Sequence, residues 1–108
     1  MPDYIFSYRG SPTAAKSQSP DEARKGKARF DAWVANLGDS AIVPGTPVKN
    51  CREVTSQGVA EDSGPICLMG FSIIRAESLV AALEVARACP HLEWGAIEVA
   101  EAMERDLS

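Results

Sequence analysis

The chain has 108 residues, a formal net charge of -4, and a composition that is 45% hydrophobic and 24% charged. This length suits one domain, residues 1–108, with a single core, and no apolar run approaches the ~18 residues that predict a membrane span. The eleven basic residues are scattered, so the concentrated basic face that non-specific nucleic-acid binding requires is not expected. The first residues lack a signal-peptide pattern. We therefore expect a cytoplasmic protein with no nucleic-acid or membrane partner.

The three cysteines, Cys51, Cys67 and Cys89, form an odd set without C-x-x-C spacing. A disulfide framework is therefore not expected, in agreement with a reducing compartment. Cys67 lies in an apolar run and Cys89 at the end of a predicted helix, where a free cysteine packs as a small hydrophobic residue.

The first predicted strand covers residues 4–9. Its residues are aromatic and β-branched, and the period of two places Tyr4, Phe6 and Tyr8 on one face. Residues 11–19 are rich in Ser, Pro and Ala without periodicity, which predicts a mobile surface loop. Such a loop can act as a lid, although a plain connector is the commoner case.

A helix is predicted to begin after Ser19, because Ser19, Pro20 and Glu22 together form an N-cap, a proline at the first helical position and a capping glutamate. Its apolar residues recur at i, i+3, i+4 and i+7, the stripe of a helix that packs on a sheet. They are Phe30, Trp33, Val34 and Leu37. Gly38 ends the helix. Trp33 is predicted to lie in the core, but an indole N–H at a cleft edge could also contact a ligand.

The middle of the chain predicts a hairpin and then the central strand. Residues 41–47 hold two prolines and a glycine, which favours an irregular or edge segment. A strand is predicted at about 48–55, with a partner that begins after Gly58. The apolar run 66–75 then predicts a strand buried on both faces, in which Gly70 indicates a bulge or a close backbone approach.

The last third predicts a helix, a strand and a tail. The helix covers residues 77–89 and ends at Pro90. The strand covers residues 94–99, with Ile97 and Val99 on one face and Glu98 on the other. Residues 101–108 are predicted to be a tail with at most a frayed helical turn.

The order of these elements predicts a ferredoxin-like, two-layer α+β sandwich. Both helices would lie on one face of a mainly antiparallel sheet. The other face, carrying residues such as Phe6, Met69 or Phe71, would expose an apolar patch unless a second copy covered it. A homodimer is therefore expected.

Several motifs occur together in one order along nearly the whole chain. They are Trp33 with Leu37-Gly38, Pro44-Gly45-Thr46-Pro47, Glu61-Asp62-Ser63-Gly64-Pro65, Gly70-Phe71-Ser72, and Cys89-Pro90-His91-Leu92-Glu93 before Ile97-Glu98-Val99. In these motifs the chain resembles the YCII-related (YciI-like) proteins, and within them the subgroup named for a DGPF loop. The resemblance implies a dimeric α/β barrel in which two ferredoxin-like protomers pack their sheets together.

The same resemblance implies little about activity. Most members of the family have no known function, some relatives are small-molecule lyases or dehalogenating enzymes, and some are proposed to use a His–Asp pair. This chain departs from that pattern, because residues 4–9 contain no histidine. Its loop also reads Asp62-Ser63-Gly64-Pro65-Ile66, where an aspartate directly before Gly-Pro-Phe would be expected.

Two residues are candidates for catalysis. His91 is the one histidine of the sequence, so any imidazole acid–base step must use it. It would need a carboxylate such as Asp62 or Glu98 in reach; otherwise it bonds the last helix carbonyls or lies in solvent. Asp62 acts as a general base if its site is desolvated. Its alternative role is that of an Asx-turn residue.

Four residues are candidates for ligand binding. Tyr8 and Arg9 end the first strand and are predicted to line one cleft, with Arg9 as a clamp for a carboxylate or phosphate or as an ordinary surface arginine. Trp33 could contact the ligand from the helix. Glu98 would face the space between the two sheets of the dimer, paired with an arginine such as Arg9.

Two hypotheses follow. The first is a homodimeric barrel whose inter-sheet cleft binds a small anionic or aromatic molecule, with lyase- or isomerase-like acid–base chemistry by Asp62 or His91. The second is a non-catalytic dimerisation or regulatory module. No cofactor or metal is expected, because the sequence has no glycine-rich phosphate loop, nucleophile elbow or Rossmann fingerprint, and Cys89 and His91 lack a second ligand pair.

Overall fold

A computed structural model describes residues 1–11, 18–60, 64 and 66–104. The elements in chain order are β1 (Asp3–Gly10), α1 (Pro20–Leu37), β2 (Ala41–Pro47), β3 (Val54–Thr55), β4 (Gly58–Val59), β5 (Cys67–Arg75), α2 (Leu79–Arg87) and β6 (Gly95–Glu101). Short 3₁₀ helices follow α1 at Gly38–Ser40 and α2 at Pro90–Glu93. No helix among the described residues is long and apolar enough to cross a membrane.

The main sheet has the strand order β2-β5-β1-β6, and each strand is antiparallel to its neighbours. Each helix connects two strands that are separated by one other strand, the connectivity of a ferredoxin-like sandwich. Strands β3 and β4 form a separate hairpin in the connection between β2 and β5. The predicted α+β fold is therefore the observed one.

Helix α1 begins and ends where the sequence predicts. The Ser19 hydroxyl accepts a hydrogen bond of 3.1 Å from the Glu22 backbone N–H, and Pro20 occupies the first turn. Gly38 ends the helix with φ of 56°, a left-handed conformation that glycine adopts without strain.

The core lies between the sheet and both helices. Three side chains of β1, Tyr4, Phe6 and Tyr8, are buried there against Ile74 of β5. Side chains of both helices pack on them: Phe30, Trp33 and Leu37 from α1, and Ala81, Ala82, Val85 and Ala86 from α2. The expectation that Phe6 lies on the uncovered face is wrong. Phe6 shares a face with Tyr4 and Tyr8, and the helices cover that face.

The described helices pack on the core side of the sheet, and we call the opposite side the open face. Its central residues alternate with the core residues along β1 and β5: Ile5 pairs with Ile73, and Ser7 with Phe71. Ile5 is 39% exposed, and Phe71 and Ile73 are half-buried. The prediction that Phe71 lies on the uncovered face is confirmed.

A β-bulge interrupts the pairing of β1 with β5. Tyr8 pairs with Gly70 and Arg9 with Leu68, so Met69 is the extra residue. The extra residue changes the alternation and brings the Met69 side chain to the helix side, where it lines the same cavity as Tyr8. The expectation that Met69 lies on the open face is wrong for this reason. At Gly70 a Cβ would lie 2.8 Å from the Thr46 carbonyl oxygen, the close backbone approach that the sequence predicts.

The segment between β2 and the hairpin differs from the prediction. Residues 41–47 form the edge strand β2, with two register shifts, whereas residues 48–53 form no strand. An edge position tolerates Pro44 and Pro47, which cannot donate to a ladder. Asn50 has φ of 59°, which ends the extended chain. The predicted hairpin partner after Gly58 is confirmed.

The last elements are shifted by a few residues. Helix α2 begins after Ser78, whose hydroxyl accepts from the Ala81 N–H at 3.1 Å, rather than at Glu77. Strand β6 continues to Glu101, and residues 102–104 form no helical turn. Residues 105–108, and residues 12–17 of the predicted loop, lie outside the described part of the chain.

Candidate functional site

A cavity of about 440 Å³ opens between helix α1 and one end of the sheet. Side chains from four elements line it: Tyr8 of β1, Lys27, Phe30 and Asp31 of α1, Met69 of β5, and His91 of the second 3₁₀ helix, together with backbone of residues 45–47 and 70. A smaller cavity of about 130 Å³ shares Lys27, Met69 and His91 and adds Gly26 and Trp94. The volume of the larger cavity falls in the range of small-molecule sites.

Tyr8 supplies an aromatic wall of this cavity. Its ring contacts the edge of Phe30, with centroids 5.3 Å apart, and lies 5.4 Å from the ring of His91. Its hydroxyl shares a 2.7 Å hydrogen bond with the buried Ser72 hydroxyl. Burial raises the pKa of the Tyr8 phenol, and the Ser72 bond offsets only part of that shift. Tyr8 is therefore a neutral phenol and not a base.

His91, the one histidine of the sequence, places its imidazole at the cavity wall. Its Nε2 lies 2.8 Å from the Arg9 carbonyl oxygen, and because a carbonyl only accepts, Nε2 carries the proton. In the neutral ring Nδ1 is then the nitrogen that can accept a proton. The 3₁₀ helix that carries His91 is joined to α1 by an ion pair of 2.6 Å between Arg29 and Glu93.

Cys89 precedes His91 by two residues and lies in the core, where it is 3% exposed. Burial raises the pKa of its thiol to about 11, although the His91 backbone N–H, which donates to the sulfur, lowers it in part. A thiol with such a pKa is protonated near neutrality, and its place in the core is that of a packing residue. The structure thus shows the predicted packing role for Cys89.

Lys27 and Asp31 place one charge of each sign at the cavity rim. Their side chains form an i, i+4 ion pair of 2.7 Å and are largely exposed. An exposed pair of this kind adds at most about 1 kcal/mol to stability. Its charges are therefore available to a ligand without a large cost to the fold.

The candidates from the sequence fall on two sides of the sheet. Tyr8 and His91 line the cavity. Arg9 and Glu98 lie on the open face, with Nη1 and Oε2 3.9 Å apart and side chains 48% and 65% exposed. The expectation that Tyr8 and Arg9 line one cleft is wrong, because successive side chains of a strand point to opposite faces. The predicted pairing of Glu98 with Arg9 is present, as a weak surface contact.

Trp33 and Asp62 complete the set of candidates. Trp33 is half-buried against Phe6 and Phe30, with ring centroids 6.4 and 5.5 Å away, and it does not line either of the two cavities. This is the core position that its place in the helical stripe predicts. Asp62 lies outside the described residues, so its pairing with His91 stays a prediction.

Sequence reasoning missed Lys27, Phe30, Asp31 and Met69 as cavity residues. The i, i+4 spacing of Lys27 and Asp31 beside an aromatic stripe residue was the available signal. Met69 had none, because its orientation depends on the bulge. No group of three or more His, Cys, Asp or Glu side chains placed to hold a metal ion occurs among the described residues.

No family model matches the chain, and no curated protein matches it. A solved structure does resemble it: 5-chloro-2-hydroxyhydroquinone dehydrochlorinase (TftG) from Burkholderia phenoliruptrix AC1100, in complex with 2,5-dihydroxybenzoquinone. The TM-score is 0.63 at 17% sequence identity, over 95% of each chain. This likeness shows the fold and confirms the predicted class, a ferredoxin-like α+β sandwich. The resemblance to the YciI-like family stays a prediction, because the likeness is one of fold alone.

Proposed function

We propose that the chain binds a small, planar, oxygen-substituted ring in the 440 Å³ cavity and moves a proton to or from it through His91. One observation carries the proposal: at the wall of this cavity the ring centroid of Tyr8 lies 5.3 Å from that of Phe30 and 5.4 Å from that of His91. Aromatic walls favour a flat ligand, since ring pairs gain about 0.5–1.5 kcal/mol beyond the area that they bury.

The polar groups fit a ligand with ionisable oxygens. Lys27 at the rim attracts a phenolate or enolate, and Nδ1 of His91 can accept a proton from a ring hydroxyl. The inter-sheet cleft expected from the sequence is a weaker candidate, because Arg9 and Glu98 there are exposed and 3.9 Å apart. The dehydrochlorinase of similar fold is described with a dihydroxybenzoquinone, which supports a ligand of this shape and polarity.

The proposal includes a homodimer in which the open faces of two copies pack together. Ile5, Leu68, Phe71 and Ile73 form an apolar strip there, and Ile5 and Leu68 are 39% and 36% exposed. A strip of this kind at the centre of a sheet favours burial by a partner. The apolar strip also favours the second candidate function, a non-catalytic dimerisation module. The two candidates differ in the cavity, which the second predicts to be empty of ligand.

Binding is tested by calorimetric titration with 2,5-dihydroxybenzoquinone, here the planar probe, against a saturated ring diol. Wild type should bind the planar probe and not the diol. Lys27→Gln should weaken binding about threefold to tenfold, or about 1 kcal/mol. Lys25→Gln is the matched control on the same helix, because Lys25 pairs with Asp21 and does not line the cavity. Equal affinities for Lys27→Gln and Lys25→Gln, or no binding by wild type, would contradict the site.

Proton transfer is tested by exchange of the ring hydrogens of the planar probe with D2O, followed by NMR. Wild type should accelerate the exchange. His91→Gln should lower the exchange rate by about 10²–10⁴-fold, as expected when a general base is lost. Binding without acceleration would contradict the proton transfer and leave ligand binding as the function of the cavity.

A further inference from the structure

His91 is held by a backbone group of β1 rather than by a side chain in the described part of the chain. The Arg9 carbonyl oxygen lies 2.8 Å from His91 Nε2. Arg9 follows the point where the β1–β5 register shifts, so the bulge lies beside this carbonyl. On the other side, Arg9 pairs with Ala96, and Gly10 pairs with Gly95.

The Arg9 carbonyl occupies the space that a side chain at position 95 would need. A Cβ built on Gly95 collides with the Arg9 oxygen and comes within 3.0 Å of its carbonyl carbon and of the Gly10 Cα. These are backbone atoms of a central strand and cannot turn aside as a side chain would. Any residue other than glycine must therefore move the backbone at position 95 away from the carbonyl that His91 contacts, or displace that carbonyl.

We infer that Gly95 and the Arg9 carbonyl are a positioning device for His91, which holds the neutral imidazole in the Nε2–H tautomer and leaves Nδ1 as the proton acceptor. The inference deepens the proposed function, since a base whose accepting nitrogen is fixed loses no population to the wrong tautomer. Arg9 contributes through its backbone alone, because its side chain lies on the open face beside Glu98.

The single histidine makes this inference directly measurable. In protein labelled with ¹⁵N and ¹³C, long-range ¹H–¹⁵N correlations from the ring carbon-bound protons identify which nitrogen carries the proton. Spectra are recorded without ligand, at a pH where the ring shifts show it to be neutral. Wild type should show one tautomer, protonated at Nε2, with a scalar coupling across the hydrogen bond to the Arg9 carbonyl carbon.

Gly95→Ala should lose this coupling and gain a population protonated at Nδ1. Gly26→Ala is the matched control for these spectra, because a Cβ there makes an ordinary 3.6 Å contact with Trp94; it should keep the wild-type pattern. If Gly95→Ala does not fold, the wild-type spectrum still decides, since the coupling is either present or absent.

Mixed tautomers, or an Nδ1–H ring, in wild type would overturn the inference. So would a Gly95→Ala protein that keeps both the coupling and the single tautomer. Neither result depends on a ligand. A fixed Nε2–H tautomer in a protein that does not bind the planar probe would therefore contradict the proposed function and leave the positioning device standing.

Discussion

The two faces of the sheet differ in what covers them, although the same strands build both. On the helix-covered face, Phe6 and Ile74 are fully buried and Tyr8 passes from the core into the cavity wall. On the open face, their neighbours Ile5 and Ile73 retain exposed apolar surface. One face thus completes the fold within the chain and carries the proposed ligand site, while the other leaves the apolar surface on which we propose that a second copy packs.

The largest expected effect is on stability and comes from the helix-covered face. Phe6→Ala should lower the free energy of unfolding by about 3–5 kcal/mol, because it removes a fully buried ring and leaves a cavity. Ile5→Ala is the comparison on the adjacent position, where the side chain is 39% exposed, and should cost under about 2 kcal/mol in the monomer. Urea denaturation at low protein concentration measures both. Similar losses would mean that the two faces are equally important to the protomer.

The next effect concerns assembly and comes from the open face. Ile73 pairs with Ile5 on one side and with Val43 on the other. Ile73→Lys should weaken the dimer by 30-fold or more, or about 2 kcal/mol, because it puts an unpaired charge into an apolar interface. Sedimentation equilibrium gives the dissociation constant, and an unchanged far-ultraviolet circular dichroism spectrum shows that the protomer is intact. A wild-type monomer at high concentration would sink the assembly proposal.

A smaller effect is expected where the core meets the cavity. Tyr8→Phe leaves the buried Ser72 hydroxyl without the 2.7 Å partner and should cost about 1–3 kcal/mol. Ser72→Ala leaves the Tyr8 hydroxyl unpaired in the same way. The double variant should therefore lose clearly less than the sum of the two, by about 1 kcal/mol in a double-mutant cycle of unfolding free energies. Strict additivity would show that the bond contributes nothing.

The smallest effect is on the pH dependence of stability. Burial raises the pKa of Cys89 from 9.0 to about 11 and raises that of Tyr8 above its ordinary 10.0. Between the ordinary and the raised pKa values, the thiol and the phenol are ionised in the unfolded chain but still protonated in the folded protein. The free energy of unfolding should therefore be retained below pH 9. It should fall from pH 9 to 11, by at most about 1.4 kcal/mol per pH unit for the thiol.

Cys89→Ala isolates the contribution of the thiol. It should flatten the fall of the unfolding free energy between pH 9 and 10, where the thiol titrates before the phenol does. Denaturation curves at fixed pH values provide the measurement. A wild-type stability that rises through this range would contradict the burial of both groups.

Much of this fold follows from local patterns. The cap at Ser19, the stop at Gly38 and the alternation of Tyr4, Phe6 and Tyr8 depend on nearest-neighbour chemistry and are found as predicted. The position of Glu98, opposite Ile97 and Val99, follows from the same period of two. These features can be predicted without knowing which elements pack against them.

The remaining features depend on long-range contacts. Which face of β1 the helices cover decides the position of Phe6, and alternation alone does not give it. One extra residue in β5 turned Met69 to the other face, since a register slip of one reverses side-chain orientation. The hydrogen bond from His91 to the Arg9 carbonyl joins groups 82 positions apart. The sequence pattern carries no signal for a backbone acceptor, which is why it predicts a carboxylate as the partner of His91.

The proposed ligand site lies on the helix-covered side of the sheet. A crystal structure of the protein with the planar probe tests it most directly. We expect the probe in the 440 Å³ cavity, against the wall formed by Tyr8, Phe30 and His91, with a ring oxygen within hydrogen-bond distance of His91 Nδ1. A probe bound instead on the open face, against Ile5, Phe71 or Glu98, would contradict it.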